Sequence, residues 1–403
     1  MGTATADRLR IQRSGRRAST AMRALLAEGQ SVWLDDLRRG MTRSGELDLM
    51  VADGLRGMTS NPSTFERAIT ATSDYDDAIA ELTASGLTDR EVLDALAVQD
   101  VREAADVLRP VYEESDGDDG YVSIEVSPEL ARDTEGSIAE ARRLWWAVNR
   151  PNVMIKIPGT REGWPAIERC LRDGININIT LLFSLEHYQA VAEAHLRALA
   201  ARAADGRPVD RVASAASLFV SRVDTEVDKR IVANGGTLAV LRGRAGVANA
   251  RLVYAAFREM TRTVRWRALE ALGAKAQRPL WASTGTKNPA YRDVLYVESL
   301  IGPRTISTIP PDTLRLFEDH GVVERTLPDD VSTAQLIMIA LEADGIDFAD
   351  VNRTLEEEGI AKFEESLARS LDAIRRKRRV LAKAGGDPPM RDDHARSSAL
   401  GRR

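Results

Sequence analysis

The chain is short of the residues that bind metals and form cross-links. In 403 residues there is one cysteine, Cys170, and there are four histidines. A lone cysteine has no intrachain partner, and so few histidines leave no cluster with metal-ligand spacing. We therefore expect neither a disulfide scaffold nor a metal site. No apolar run approaches the roughly 18–20 residues that a bilayer crossing takes. The first residues carry Arg, Thr and Ser where a signal peptide would carry an apolar stretch. The expectation is a soluble cytoplasmic protein that does not engage membrane. Neither sign of charge dominates, since 56 Lys and Arg face 61 Asp and Glu for a net −5. That balance argues against nucleic acid as a partner. Two nucleotide-binding signatures are also missing: no G-x-G-x-x-G follows the first strand-like run, and there is no P-loop.

What is present points to a large α/β enzyme. A hydrophobic fraction of 43% supports a sizeable core and rules out general disorder. The length exceeds that of an ordinary domain but suits a (β/α)8 barrel with extra helices. Residues 1–18 read as a basic, disordered arm. Residues 384–403, rich in Gly, Pro and mixed charge, read as a disordered tail. The span 19–383 reads as a single domain. The Arg-rich ends admit an anion-binding reading, but a solvated tail is the commoner outcome of such composition.

Short apolar runs alternate with long amphipathic stretches. The strand-like runs are Ser31–Asp35, Gly57–Thr59, Tyr121–Val126, Val153–Ile157, Asn176–Leu181, Val212–Val220, Pro279–Ala282 and Thr305–Thr308. Helical periodicity covers Ser137–Val148, Ser184–Ala201, Ala248–Leu272 and Ser332–Glu342. Ser184 with Glu186, and Ser137 with Glu140, read as helix starts. Eight strands alternating with helices predict parallel β-α repetition, in a doubly wound sheet or a closed barrel. The missing nucleotide signatures favour the eight-stranded parallel barrel. The run Ile175-Asn176-Ile177-Asn178-Ile179-Thr180 alternates strictly. A surface strand would look the same. In a barrel, its polar face points inward and its isoleucines pack outside against helices.

Lys156 stands near the end of the fourth run, in Val153-Met154-Ile155-Lys156-Ile157-Pro158. Burial disfavours the charged amine, and a neutral lysine amine can form a Schiff base with a carbonyl. A lysine that snorkels or pairs with a carboxylate is the plainer alternative. Other polar residues stand at or after the ends of successive runs: Asp35, Asn61, Glu125, Asn178, Thr180, Ser217 and Ser283. Barrel enzymes gather their chemistry at that end. Singly each has an ordinary reading: Asp35 as a helix cap, Asn61 before Pro62 as turn chemistry, Glu125 as a strand-edge carboxylate. As a set, one lysine, two carboxylates and several amides and hydroxyls suit imine chemistry. Glu125 and Thr180 would polarise a water, Asp35 would move a proton as a C–C bond breaks, and Asn61 and Asn178 would hold sugar hydroxyls. Arg222, after the sixth run, offers a planar fork to phosphate. Its neighbours Asp224, Glu226 and Asp228 leave a surface ion pair open as well. Ser283 and Lys287, in the loop after the seventh run, would complete a phosphate pocket.

Six stretches resemble the transaldolase family in sequence and in order: Ser31-Val32-Trp33-Leu34-Asp35, Gly57-Met58-Thr59-Ser60-Asn61-Pro62-Ser63, Val122-Ser123-Ile124-Glu125-Val126, Met154-Ile155-Lys156-Ile157-Pro158, Asn178-Ile179-Thr180-Leu181-Leu182-Phe183-Ser184, and Ser217-Leu218-Phe219-Val220-Ser221-Arg222. The resemblance spans about Ala21 to Asp350. It implies a (β/α)8 barrel with Lys156 as the Schiff-base lysine, Asp35 as general acid/base, and Glu125 with Thr180 as the water-holding pair. It implies sugar contacts from Asn61, Asn178 and Ser217 and a phosphate contact from Arg222, with no metal or organic cofactor. The implied reaction moves a dihydroxyacetone unit from sedoheptulose 7-phosphate to glyceraldehyde 3-phosphate. Phosphorylated sugars are thus the expected partners, for a monomer or a homodimer. Lys287 matches the family loop less closely. Fructose 6-phosphate aldolases of the same superfamily resemble this chain but carry Gln and Tyr where Glu125 and Phe219 stand here, which favours transfer over release. A specialised secondary-pathway transaldolase and a non-catalytic phosphosugar-binding barrel are the alternatives.

Overall fold

The computed structural model describes residues 20–328 and 330–385. The expected arm at 1–18, and the expected tail from residue 386 onward, lie outside the described residues. Eight strands are present: β1 (Gln30–Leu34), β2 (Gly57–Thr59), β3 (Tyr121–Glu125), β4 (Val153–Pro158), β5 (Ile177–Leu182), β6 (Ser214–Phe219), β7 (Arg278–Ala282) and β8 (Thr305–Ile309). They close in chain order into one barrel, and every pairing is parallel. Each expected strand is there, within two residues at either end.

Alternation along the strands divides the apolar residues into two layers. Val32, Leu34, Met58, Val122, Ile124, Val153, Ile155, Ile177 and Ile179 belong to the layer between barrel and helices. Trp33, Tyr121, Met154, Ala215, Leu280 and Ile306 belong to a separate inner cluster. The isoleucines of β5 therefore face out, and Asn178 stands on the opposite face, as the alternation predicts. Each fully buried large aliphatic side chain stabilises such layers by ~1.5–3 kcal/mol.

The N-terminal end of the barrel is closed by a polar lattice under the inner cluster. Asp119 accepts from Trp33 Nε1 at 3.0 Å, from Ser31 Oγ and from Arg278 Nη1 at 3.3 Å. Arg278 Nη2 also donates to Ser31 Oγ at 2.5 Å and to the Thr305 carbonyl at 2.8 Å. One guanidinium thus ties β7 to β1 and β8. Gly57 makes room for this floor, because a Cβ there would come within 2.5 Å of the Trp33 ring.

Three helical details differ from expectation. The helix expected from Ser137 is capped earlier, at Asp133, whose carboxylate accepts from Gly136 N. Ser137 sits inside the first turn and bonds back to the Leu130 carbonyl. Ser184 does cap its helix, Leu185–Ala204. The stretch Ala248–Leu272 is two helices, Ala245–Met260 and Val264–Glu270, because Thr263 takes a β conformation and caps the second. The third difference is a 38-residue helix, Phe348–Gly385, which runs two residues into the expected tail. It crosses the C-terminal end of the barrel and docks on the helix Pro62–Ala71. Ser366 meets Ser63 at 2.8 Å, Arg369 pairs with Glu66 at 2.7 Å, and Lys377 donates to the Thr72 carbonyl at 2.7 Å.

Candidate active site

The strands deliver their last residues to a cavity of about 740 Å³ at the C-terminal end. Lys156 lies two residues before the end of β4, paired with Glu125 on β3 and Asn178 on β5. Inward-facing positions of three neighbouring strands therefore place an amine, a carboxylate and an amide at one level. Lys156 is 4% exposed. Its Nζ stands 3.2 Å from Glu125 Oε2 and donates to the Ser60 carbonyl at 3.3 Å. The lysine thus pairs with a carboxylate, as the plainer reading has it, in the buried setting that the Schiff-base reading supposes.

Glu125 is nearly inaccessible, with a side chain 3% exposed. Burial holds its carboxyl above the usual carboxylate range; Lys156, and more weakly Arg222, draw it back down. Apart from the charge contact with Lys156, neither oxygen takes a directed hydrogen bond among the described residues. Thr180 Oγ1 is likewise buried without a partner. Next to Thr180, β5 bulges between Ile179 and Leu182, and Leu181 takes φ 57°. A branched residue in that region costs of order 1–3 kcal/mol. The turn it makes puts Leu181 in the inner cluster with Leu355 and Phe363.

Asp35 follows β1 and lines the cavity. It accepts from Thr59 Oγ1 at 3.2 Å and from Asn61 Nδ2 at 3.4 Å. Asn61 serves twice, since its Oδ1 also caps the helix Pro62–Ala71 through Thr64 N at 3.1 Å. Asn61 thus has the local structural role that its place before Pro62 suggests, and it also lines the cavity. Asp35 caps no helix. Asn178 is fully buried, donating to Ser123 Oγ at 2.9 Å and accepting from Ser217 Oγ at 2.7 Å. Ser217 reaches the cavity surface; Asn178, Glu125 and Thr180 stand behind it.

The cationic end of the cavity holds Arg222, Lys287 and Ser283. Arg222 makes no ion pair with the acidic residues that follow it. Asp224 instead accepts from Gly246 N, Glu226 pairs with Arg230, and Asp228 accepts from Gly243 N and Tyr291. The guanidinium carbon lies 4.7 Å from the Phe219 ring and 5.9 Å from Phe363. Its Nη1 is buried with no hydrogen-bond partner among the described residues. Burial pushes its pKa down from the arginine value, and Asp35, Glu125 and Glu358 oppose that. Ser283 takes φ 54° and is fixed by Ser221, through Oγ to Oγ at 2.8 Å and its own carbonyl to Ser221 N. Lys287 is exposed at the rim.

All eleven residues singled out in the sequence therefore lie at this one end of the barrel. The sequence reading missed the contribution of the C-terminal helix: Leu355, Glu358, Lys362 and Phe363 also line the cavity. Apolar residues spaced three to five apart from Val351 to Ile374 could have revealed a helix, but not where it would lie.

Barrel, amine and carboxylates together define a class: closed parallel barrels that gather a buried lysine and carboxylates at the C-terminal end. The comparisons narrow the class. Residues 32–374 match the family described as Transaldolase/Fructose-6-phosphate aldolase, and the chain belongs to that family. It is 47% identical over 363 residues to the transaldolase of Acidothermus cellulolyticus, covering 88% of this chain and 98% of that protein. It is 48% identical over 349 residues to that of Thermobifida fusca, covering 86% and 95%. The transaldolase of Mycobacterium tuberculosis is 49% identical over 347 residues, covering 85% and 93%. No helix among the described residues is long and apolar enough to cross a membrane.

Proposed function

We propose that the chain is a transaldolase carrying a dihydroxyacetone unit from sedoheptulose 7-phosphate to glyceraldehyde 3-phosphate, with erythrose 4-phosphate and fructose 6-phosphate as products, in the non-oxidative pentose phosphate pathway. The observation that carries this reading is the Lys156 amine held 3.2 Å from Glu125 beneath a cavity that also bears Asp35 and Arg222. Lys156 Nζ attacks the ketone carbon of the donor. Glu125, its carboxyl raised by burial, passes protons through a water shared with Thr180 as the carbinolamine loses hydroxide to give the iminium. Asp35 takes the proton of the C4 hydroxyl while the C3–C4 bond breaks, and the electron pair moves onto the iminium to give an enamine. The acceptor aldehyde takes the place of the departed one. The enamine carbon attacks it, Asp35 returns the proton to the new alkoxide, and water hydrolyses the iminium.

Asn61 and Ser217 hold sugar hydroxyls, with Asn178, the third residue expected to do so, fixing Ser217 from behind; Arg222, Ser283 and Lys287 hold the phosphate, with Phe219 bracing the guanidinium. The unpartnered Arg222 Nη1 supports this, because a buried guanidinium nitrogen calls for an acceptor. The reading includes a single catalytic unit over residues 19–383, a cytoplasmic location, no metal or organic cofactor, and a monomer or homodimer. Glu125 and Phe219 favour transfer over release of free ketone. Borohydride reduction with fructose 6-phosphate, followed by peptide mass mapping, tests it. The expected adduct sits on Lys156 and is absent from Lys156→Ala. An adduct on another lysine, or an active enzyme with no adduct, overturns the reading.

A further inference from the structure

The C-terminal helix brings one aromatic ring into the cavity between the two groups that define the substrate's ends. Phe363 is 4% exposed. Its ring centroid lies 5.8 Å from Lys156 Nζ and 5.9 Å from the Arg222 guanidinium carbon. Phe219 also meets that guanidinium, at 4.7 Å. Arg222 is thus braced by two rings, and one of them also covers the amine. The helix comes this close because Gly359 faces β5 and Arg222. A Cβ at residue 359 would meet Leu181 Cδ2 at 2.8 Å and Arg222 Nη1 at 3.5 Å.

We infer that Phe363 is a specificity-determining residue: its ring is the apolar roof that keeps water from the enamine on Lys156 until an acceptor arrives, and so sets transfer above release. The inference rests on the function proposed above. After the first aldehyde leaves, the nucleophilic carbon of the enamine has two fates. It attacks an acceptor aldehyde, forming a C–C bond, which is transfer. Or it takes a proton from water, and hydrolysis of the resulting iminium frees dihydroxyacetone, with the hydroxide left by the first step neutralised by the proton released in the second. The second path needs water above the amine. The aromatic face over Nζ and the apolar neighbour Leu355 remove that water from one side. The same ring braces Arg222, so the phosphate end is positioned by the group that dries the imine end.

The test compares the wild-type chain with Phe363→Ala, Phe363→Leu and Phe363→Tyr. Each is given fructose 6-phosphate with and without an acceptor aldehyde. The reading is the ratio of free dihydroxyacetone to transferred product. Phe363→Ala is expected to raise that ratio about tenfold or more, and Phe363→Leu by a smaller factor in the same direction. Phe363→Tyr, which keeps the ring, is expected to stay within about twofold of wild type. Should the alanine variant not fold, the leucine variant carries the comparison. Borohydride trapping on Lys156 is run alongside. If the wild-type lysine is trapped and the ratio is flat across the series, the role of Phe363 is overturned and the proposed function stands. If the wild-type lysine is not trapped, both are overturned.

Discussion

The two ends of the barrel solve opposite problems. At the N-terminal end, Asp119, Arg278, Ser31 and Trp33 bond to one another, and only Arg278 Nε among the nitrogens of that guanidinium is left without a partner. At the C-terminal end, Glu125, Thr180 and Arg222 Nη1 are buried without directed hydrogen bonds, and Leu181 and Ser283 hold left-handed backbone. An unsatisfied buried polar group costs about 1–3 kcal/mol. The floor uses its polar atoms to hold strands together, while at the mouth three buried groups, Glu125, Thr180 and Arg222, keep polar atoms unpaired among the described residues. On the function proposed above, the difference separates residues that serve folding from residues that serve chemistry, though both sets are buried and polar.

Substitutions can break or sharpen that contrast. The largest expected effect is on the floor. Asp119→Ala leaves the Arg278 charge without its carboxylate and should cost about 3 kcal/mol of unfolding free energy. Chemical denaturation would measure it, with kcat unchanged wherever the variant stays folded. A loss under about 0.5 kcal/mol would mean that the lattice is ornamental. At the mouth, Glu125→Gln should slow imine formation by about 10²–10³. Single-turnover borohydride trapping would show this. A KM for phosphosugar that rises by the same factor would instead indicate a collapsed pocket.

A third change lies between the two. Asp224, on the helix that carries Arg222, is buried and its carboxyl is pushed up to about 7. The folded state therefore holds a proton that the unfolded chain, titrating near 3.8, has lost, so stability falls as pH rises between those values. Asp224→Asn should flatten that slope by roughly 2–4 kcal/mol, read as denaturation midpoints from pH 4 to 8. A slope as steep as that of the parent would place the titration elsewhere. The smallest effect sharpens the comparison most. Thr180→Val removes a hydroxyl that has no partner while keeping the shape, so stability should stay within about 0.5 kcal/mol. Transfer should fall about tenfold. If the variant instead loses more than about 1 kcal/mol, that hydroxyl has a structural role and the contrast between the ends fails.

Most of the barrel was legible because its determinants are local. β-Branched runs such as Val153–Ile157, and the alternation of β5, carry strand identity and the inward face in a handful of neighbouring residues. Lys156, Asp35, Asn61 and Arg222 were legible because the strand ends dictate which face they share. What escaped depends on contacts across the chain. The start of the helix at Asp133 and the break at Thr263 turn on which of several nearby capping residues wins. The position of Phe363 depends on Ser366, Arg369 and Lys377 finding partners some three hundred residues away. No local pattern encodes that meeting. Nor does Leu181 announce its left-handed backbone, which the bulge in β5 imposes.

The long last helix has a consequence for synthesis. A ribosome finishes all eight staves of the barrel, with Lys156 among them, well before it reaches Phe363. Until then the ring that stands over Lys156 Nζ in the finished fold has not been made. The cavity gains Leu355, Glu358, Lys362 and Phe363 in its wall only once that late segment is docked on the helix at Ser63 and Glu66.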